Sequence, residues 1–130
     1  MSIKPLISDS MEFDSDIDAI EHYMEQGWTD GLPIIPPTRE RVRIFLDYVS
    51  LAPAEILATE PTKGRVVTAE KVAINAVMAG CLPTYFPVIV SAVRAMSEPK
   101  FNLHAVSVST MGSAILVVVN GPISDELNMN

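Results

Sequence analysis

The sequence predicts an α/β domain in which about four helices pack on a small, mostly C-terminal sheet. Apolar side chains recur at helical spacing in four segments between residues 16 and 97. Residues 104–110 then read HAVSVST, in which apolar Ala105, Val106 and Val108 are interspersed with polar Ser107 and Ser109, and residues 114–120 read AILVVVN, a β-branched run typical of a strand buried on both faces. Hydrophobic residues make up 48% of the 130 residues, which is enough to form a core.

The first helix is predicted over residues 16–26. Ser15 or Asp14 can cap its N-terminus, because short polar side chains accept hydrogen bonds from the free N–H groups of the first turn. Gly27 supplies the left-handed position that commonly ends a helix. Residues 1–13 lack periodicity and predict a flexible acidic arm, which becomes ordered only if something packs on Leu6 and Phe13.

The second helix follows a rigid extended connection, WTDGLPIIPPT, whose prolines fix their own φ angles. Thr38 caps this helix, which continues to about Val49. A short strand or loop is predicted at residues 55–59, a turn at residues 61–64 and an extended piece at residues 65–67.

The third helix begins after Thr68, and it is apolar on nearly every side, so it should lie at the centre of the domain. Glu70 stands in its first turn, where the helix dipole favours a carboxylate, and Gly80 ends it. Thr84 caps the fourth helix, which runs to about Ser97.

Residues 14–130 are expected to form a single α/β domain. The buried strand predicted at residues 114–120 ends in Asn120 and is followed at once by Gly121 and Pro122. The chain is therefore interpreted as the N-terminal part of a longer protein, or as a protomer that completes its sheet with another chain. The alternative is a short natural protein with a frayed tail.

The net charge of −7 belongs to the N-terminal segment. Residues 1–30 contain eight acidic residues against Lys4 alone, whereas the remainder is neutral. This pattern argues against nucleic acid and anionic membranes as partners, because both require a basic surface. One cysteine cannot form an internal disulfide, and no secretory leader is recognisable, so the expected compartment is the cytoplasm.

Cys81 is the first candidate catalytic residue. It lies between two apolar helical segments, after a glycine and before Leu82 and Pro83. The thiol is either a nucleophile or redox group, or a small core residue, and the sequence leaves both interpretations open. With one cysteine and no Cys/His spacing, no cysteine-built metal site is predicted.

His104 and Asp30 are the other candidate catalytic residues. His104 opens the first predicted C-terminal strand, at an end where loops gather, and is the better acid or base of the two histidines. Asp30 stands before Gly31 in the rigid connection, where a carboxylate could face a cleft, although Asp-Gly is also a common turn pair.

Four residues are candidates for ligand binding. Gly31 adjoins Asp30, while Asn120 and Gly121 follow the predicted buried strand, where glycine permits close approach of the backbone to a ligand. Asn75 shares a face of the third helix with Lys71, four residues earlier. That face is either the solvent edge of a buried helix or a polar line along a pocket.

Three segments carry a resemblance to a known family: DGLPIIPPTRERV (residues 30–42), TAEKVAINAVMAGCLPTYFPVIVSAV (residues 68–93) and VVNGPI (residues 118–123). Together they resemble an uncharacterised bacterial family related to the UGSC-type proteins, which are named for a selenocysteine or cysteine motif. Longer members of that family continue past the NGP segment. This chain has AGCLP at residues 79–83 in place of the naming motif, so the resemblance implies a family but no thiol redox chemistry.

The predicted function is that of the N-terminal portion of a cytoplasmic enzyme acting on a small molecule. Its cleft would be bordered by Asp30, Cys81, His104 and Asn120, with Cys81 or His104 as nucleophile or base. The alternative is a non-catalytic module that binds a ligand or forms a homo-oligomer through its apolar helices. The sequence indicates no particular cofactor.

Overall fold

A computed structural model describes residues 5–60, 62–108, 110, 112 and 114–129. The elements in this part of the chain are α1 (Asp16–Glu25), α2 (Arg39–Tyr48), β1 (Ile56–Glu60), β2 (Arg65–Thr68), α3 (Ala69–Met78), α4 (Phe86–Met96), α5 (Leu103–Val108) and α6 (Pro122–Glu126). Short 3-10 turns at Pro83–Tyr85 and Pro99–Phe101 precede α4 and α5.

The fold is mixed α/β and mostly helical, as predicted, but the predicted position of the sheet is wrong. The sheet is an antiparallel hairpin of β1 and β2 that precedes α3 in the chain. Its register pairs Ile56 with Thr68 and Glu60 with Arg65, with an irregularity near Leu57. The short strand and the extended piece predicted on either side of residues 61–64 therefore form the sheet; Pro61 in that turn lies outside the described residues.

The first predicted C-terminal strand is a helix, α5. Asn102 adopts a left-handed conformation (φ 53°) after the preceding 3-10 turn and accepts a hydrogen bond from Val106 N–H, which starts the helix. Leu103 and Val106, three residues apart, are its half-buried side chains. In so short a segment, the apolar residues of a helix with two half-buried side chains and those of an alternating strand can follow a similar pattern. Periodicity therefore predicted the wrong element here. Position 109 lies outside the described residues.

The second predicted C-terminal strand, residues 114–120, is wrong: the segment has no regular secondary structure and belongs to no sheet among the described residues. Its β-branched composition favours extended backbone, which is why a strand was predicted. Composition alone does not predict whether a neighbouring strand is present. Most of these side chains are exposed instead of buried.

The core lies where α2, α3 and α4 meet the hairpin. The Phe45 and Phe86 rings pack edge to face at its centre, with centroids 5.4 Å apart. Helix α3 is the central element, since six of its residues are buried. The buried core residues are Val42, Phe45, Leu46, Leu57, Ala69, Val72, Ala73, Ala76, Val77, Phe86 and Val90.

Four helices end in the same way, with a left-handed residue and two backbone hydrogen bonds that run back into the last turn. In α3, Gly80 N–H donates to Val77 O (2.9 Å) and Cys81 N–H to Ala76 O (3.0 Å), which is the Schellman motif. The left-handed residues after α1, α2, α3 and α6 are Gly27, Ser50, Gly80 and Asn128. The residues that follow them are Trp28, Leu51, Cys81 and Met129, all apolar.

We expect Ser50→Gly to stabilise the protein, because Ser50 holds φ 56° at the end of α2. A non-glycine residue in this region costs about 1–2 kcal/mol, and the flexibility of glycine in the unfolded chain costs about 0.5–1 kcal/mol. The net gain in the free energy of unfolding should be roughly 0.5–1 kcal/mol, measured by urea denaturation. Ser50→Ala keeps the strain and is the control; equal stability of the two variants would contradict the prediction.

The described part of the N-terminal arm is attached to α3 through Glu70. Its carboxylate accepts hydrogen bonds from Ile7 N–H (2.7 Å) and Ser8 N–H (2.8 Å), although the side chain is only 1% exposed. Leu6 packs against the core and the Phe13 ring lies 5.3 Å from that of His22, so both predicted contact residues have partners. Residues 1–4 lie outside the described part of the chain.

Two opposing effects set the pKa of Glu70. Burial favours the neutral acid and would raise this pKa. The hydrogen bonds from Ile7 and Ser8, together with the charge of Lys71, outweigh burial and hold the pKa of Glu70 below its ordinary value.

Helix α1 lies at the periphery, and Ala19 is its one buried residue. Its C-terminal half carries an aromatic cluster in which Tyr23 and Trp28 stand 5.3 Å apart, centroid to centroid, and His22 lies 5.9 Å from Trp28. Trp28 is 55% exposed, and none of these three aromatic residues belongs to the main core.

Candidate functional site

Cys81 follows the C-terminus of α3 and is half-buried. It is the second residue of the Schellman motif, in the position that Trp28, Leu51 and Met129 occupy after other helices. A hydrophobic contact with the last turn commonly accompanies that motif, and the Cys81 side chain packs against the core cluster. These contacts are the ones expected of a small core residue, and the role of Cys81 as a nucleophile stays a prediction.

The Cys81 groove is an open surface depression of about 560 Å³ between β2, α3 and α4. Its walls are mainly apolar, with polar groups contributed by Lys71, Asn75 and the thiol. The residues that line it are Val66, Val67, Lys71, Val72, Asn75, Ala76, Ala79, Cys81, Ile89 and Val93. A mainly apolar concavity of this size with few polar groups has the general character of a small-molecule site.

Asn75 lies on the exposed side of α3, and its Nδ2 donates to the backbone oxygen of Lys71 (2.8 Å). This bond fixes the amide along the helix, because residues four apart are neighbours on one face. No hydrogen bond among the described residues uses the amide oxygen, and Asn75 and Lys71 both line the Cys81 groove.

Asp30 and Gly31 form a turn instead of facing this groove. The Asp30 Oδ1 accepts a hydrogen bond from Leu32 N–H (3.1 Å), the contact expected of an Asx turn, and both residues are exposed. Gly31 has φ 88°, and a Cβ there would come within 3.1 Å of Met24 Sδ. Both observations account for the Asp-Gly pair through local backbone structure.

His104 is exposed on α5 and lines none of the grooves described here. Hydrogen bonds from Thr62 and Lys63 are the main cause that holds the pKa of Glu60 below its usual value. A smaller contribution comes from the charge of His104, which places its imidazole within electrostatic reach of the hairpin turn.

Asn120 and Gly121 precede α6, away from Cys81. Gly121 is the residue before the helix, with φ 87°, which favours glycine. Asn120 lines a second groove of about 480 Å³, formed by α4, Phe101 and residues 115–120. This α4 groove is apolar except for Ser91 and Asn120.

Of the seven predicted site residues, the structure brings Cys81 and Asn75 into one groove and places the other five elsewhere. Lys71 joins the groove although it was not among the predicted site residues. The sequence signal for Lys71 was its spacing of four residues from Asn75, which puts both residues on one face of the helix. Within the described part of the chain, no three His, Cys, Asp or Glu side chains gather in a way that could hold a metal ion.

Comparison of the chain with protein-family models, with curated proteins and with solved structures finds no match. The family resemblance of residues 30–42, 68–93 and 118–123 therefore stays a prediction. None of the helices in the described residues is long and apolar enough to cross a membrane.

Proposed function

We propose that this chain binds a small, largely apolar molecule in the Cys81 groove, and that it does so in the cytoplasm. The observation that carries the proposal is that Cys81 and Asn75, which different features of the sequence indicate as site residues, line the same concavity. The cytoplasmic setting is supported by the single cysteine, which can form no internal disulfide.

The polar groups define the kind of ligand. Valine, alanine and isoleucine side chains suit an alkyl chain, while Lys71 and Asn75, four residues apart on α3, contribute a cationic and an amide side chain to the same lining. A cationic donor and an amide favour an anionic or hydrogen-bond-accepting head group. A medium-chain carboxylate fits this description.

Binding is better supported than catalysis. A thiol nucleophile is usually activated by an adjacent base. The described lining of the groove contains no histidine, aspartate or glutamate, and His104 and Asp30 lie outside it. An enzyme that uses Cys81 stays a prediction from the sequence. If the thiol only lines the groove, Cys81→Ser should change ligand affinity by no more than the roughly 0.5–1.5 kcal/mol of one neutral contact.

We expect octanoate to shift the backbone amide NMR signals of β2 and α3 around the Cys81 groove. Lys71→Met should weaken octanoate binding by about 1.4- to fivefold, the range for exposed ion pairs worth about 0.2–1 kcal/mol. Octylamine, which carries the opposite charge, should not lose affinity in this variant.

Lys100→Met is the matched control, because Lys100 is exposed at the turn before α5 and outside the groove. Ala79→Leu fills part of the groove and should weaken octanoate and octanol alike. Signal shifts confined to other surfaces, or equal losses in the two lysine variants, would refute the proposal.

A further inference from the structure

The apolar segment at residues 114–120 presents an unusual surface. Leu116 and Val118 are 82% and 72% exposed, whereas the alternate residues Ile115 and Val117 are 41% and 54% exposed. This alternation is that of a strand with one face turned outward. Among the described residues, no backbone hydrogen bond joins the segment to another part of the chain.

One side of the segment already has support. Residues 115–119 line the α4 groove together with Val88, Ala92 and Phe101, so the segment borders a groove whose other wall is α4. Exposed strand edges of this kind pair readily with other strands, because the N–H and C=O groups are ready to form a ladder. An uncharged β-branched strand has none of the lysines or prolines that usually prevent such pairing.

We propose that the 114–120 segment is a self-association site, at which two copies of this chain pair these strands antiparallel about a two-fold axis through Val117. In this register Val117 faces Val117, Leu116 faces Val118 and Ile115 faces Val119. Each apolar side chain meets another, and only Ala114 and Asn120 pair apolar with polar. Isologous two-fold contacts are the commonest way in which identical chains associate.

The charge distribution favours a second copy as the occupant. The chain carries −7 overall, but residues 101–124 contain no Asp, Glu, Lys or Arg. Two acidic chains can therefore approach through this surface without placing like charges opposite each other. A basic partner, by contrast, would find no acidic side chain in this part of the sequence.

The proposal is independent of the Cys81 groove, since none of the residues of the segment lines it. A strand of seven residues buries less than the roughly 1,600 Å² of a standard interface, so we expect a dimer of micromolar affinity. The exposed apolar side chains and the unsatisfied backbone groups are the parts that pairing would cover.

Sedimentation velocity of the whole chain over the micromolar range tests the proposal. The wild type should change from monomer to dimer as its concentration rises, and Val117→Lys should stay monomeric, because two ammonium groups would face each other. Val108→Lys is the matched control: Val108 is 64% exposed on α5, outside the segment, and this variant should dimerise as the wild type does. Far-UV circular dichroism checks that each variant is folded.

Charge reversal tests the register. An equal mixture of Val117→Lys and Val117→Glu should dimerise although each variant alone does not. Leu116→Lys should be rescued by Val118→Glu if the strands are antiparallel, and by Leu116→Glu if they are parallel and in register. A monomeric wild type, a dimeric Val117→Lys, aggregates without a defined size, or rescue only by Leu116→Glu would overturn the proposed pairing.

Discussion

Phe86→Ala should lower the free energy of unfolding by about 3–5 kcal/mol, the usual cost of removing a buried phenylalanine ring. Phe86 is 0% exposed at the start of α4 and packs edge to face on Phe45, at an interplanar angle of 73°. Truncation opens a cavity among α2, α3 and α4, and it also removes an aromatic pair worth about 0.5–1.5 kcal/mol beyond its buried area. Because domains of this size are stable by about 5–15 kcal/mol, the variant should be near its unfolding threshold.

Urea denaturation measures this effect, and Phe101→Ala provides the comparison. Phe101 is 36% exposed beside the α4 groove, outside the core cluster, so its truncation should cost clearly less. Phe86→Leu should lie between the wild type and Phe86→Ala, because it refills most of the cavity. Similar losses for Phe86→Ala and Phe101→Ala would show that the core does not centre on the two facing rings.

Glu70→Gln should release the N-terminal arm and destabilise the fold by about 1–3 kcal/mol, the cost of losing charge-assisted hydrogen bonds at a buried site. An amide offers one acceptor oxygen where the carboxylate offers two, so either Ile7 N–H or Ser8 N–H loses its partner. Faster hydrogen exchange at these two amides would report the release directly.

Glu40→Gln is the matched control for Glu70→Gln. Glu40 and Glu70 are each the second residue of a helix that a threonine caps, α2 and α3 respectively, so both interact with a helix dipole. Glu40 is exposed, and no arm bond to it is found among the described residues. If both variants lose the same stability, the dipole and not the arm explains the effect.

The pH dependence of the same variant has a defined sign. The folded-state pKa of Glu70 is lowered from 4.5, so its charged form is favoured by folding. The stabilisation is fully present above about pH 4.5 and is lost as the pH falls through the lower folded-state value. The difference in stability between wild type and Glu70→Gln should therefore shrink below this pH.

Local signals in the sequence predicted α1, α2 and α3 well, but the predicted cap of α4 is wrong, because Thr84 lies within the 3-10 turn Pro83–Tyr85 and α4 begins at Phe86 without a side-chain cap. Thr38 and Thr68 cap α2 and α3 as expected, each accepting a bond from the third following N–H, and Gly27 and Gly80 end α1 and α3 in the left-handed conformation. These features depend on residues within one or two turns, so a single sequence contains the information. The extended pieces on either side of the turn at residues 61–64 were also predicted, but their pairing into the only sheet of the described residues was not.

Features that depend on distant residues could not be predicted. The bonds from Ile7 and Ser8 to Glu70 span more than 60 positions, and only the favourable dipole position of Glu70 was visible locally. The β-branched residues at 114–120 predicted extended backbone, but whether a neighbouring strand exists is a matter of tertiary structure. For the site, the spacing of Lys71 and Asn75 was informative. The separation of Cys81 from Asp30 and His104 depends on how the elements pack, which the sequence alone does not show.

The peripheral aromatic cluster on α1 determines what optical spectroscopy would detect. Trp28 is the only tryptophan in the chain, and its indole packs on Tyr23 at the end of a helix with one buried residue. Intrinsic fluorescence therefore follows the docking of α1, whereas far-UV circular dichroism follows all helices together. Agreement between the two signals would mean that α1 and the core melt as one cooperative unit, and an earlier fluorescence transition would identify α1 as a separately unfolding segment.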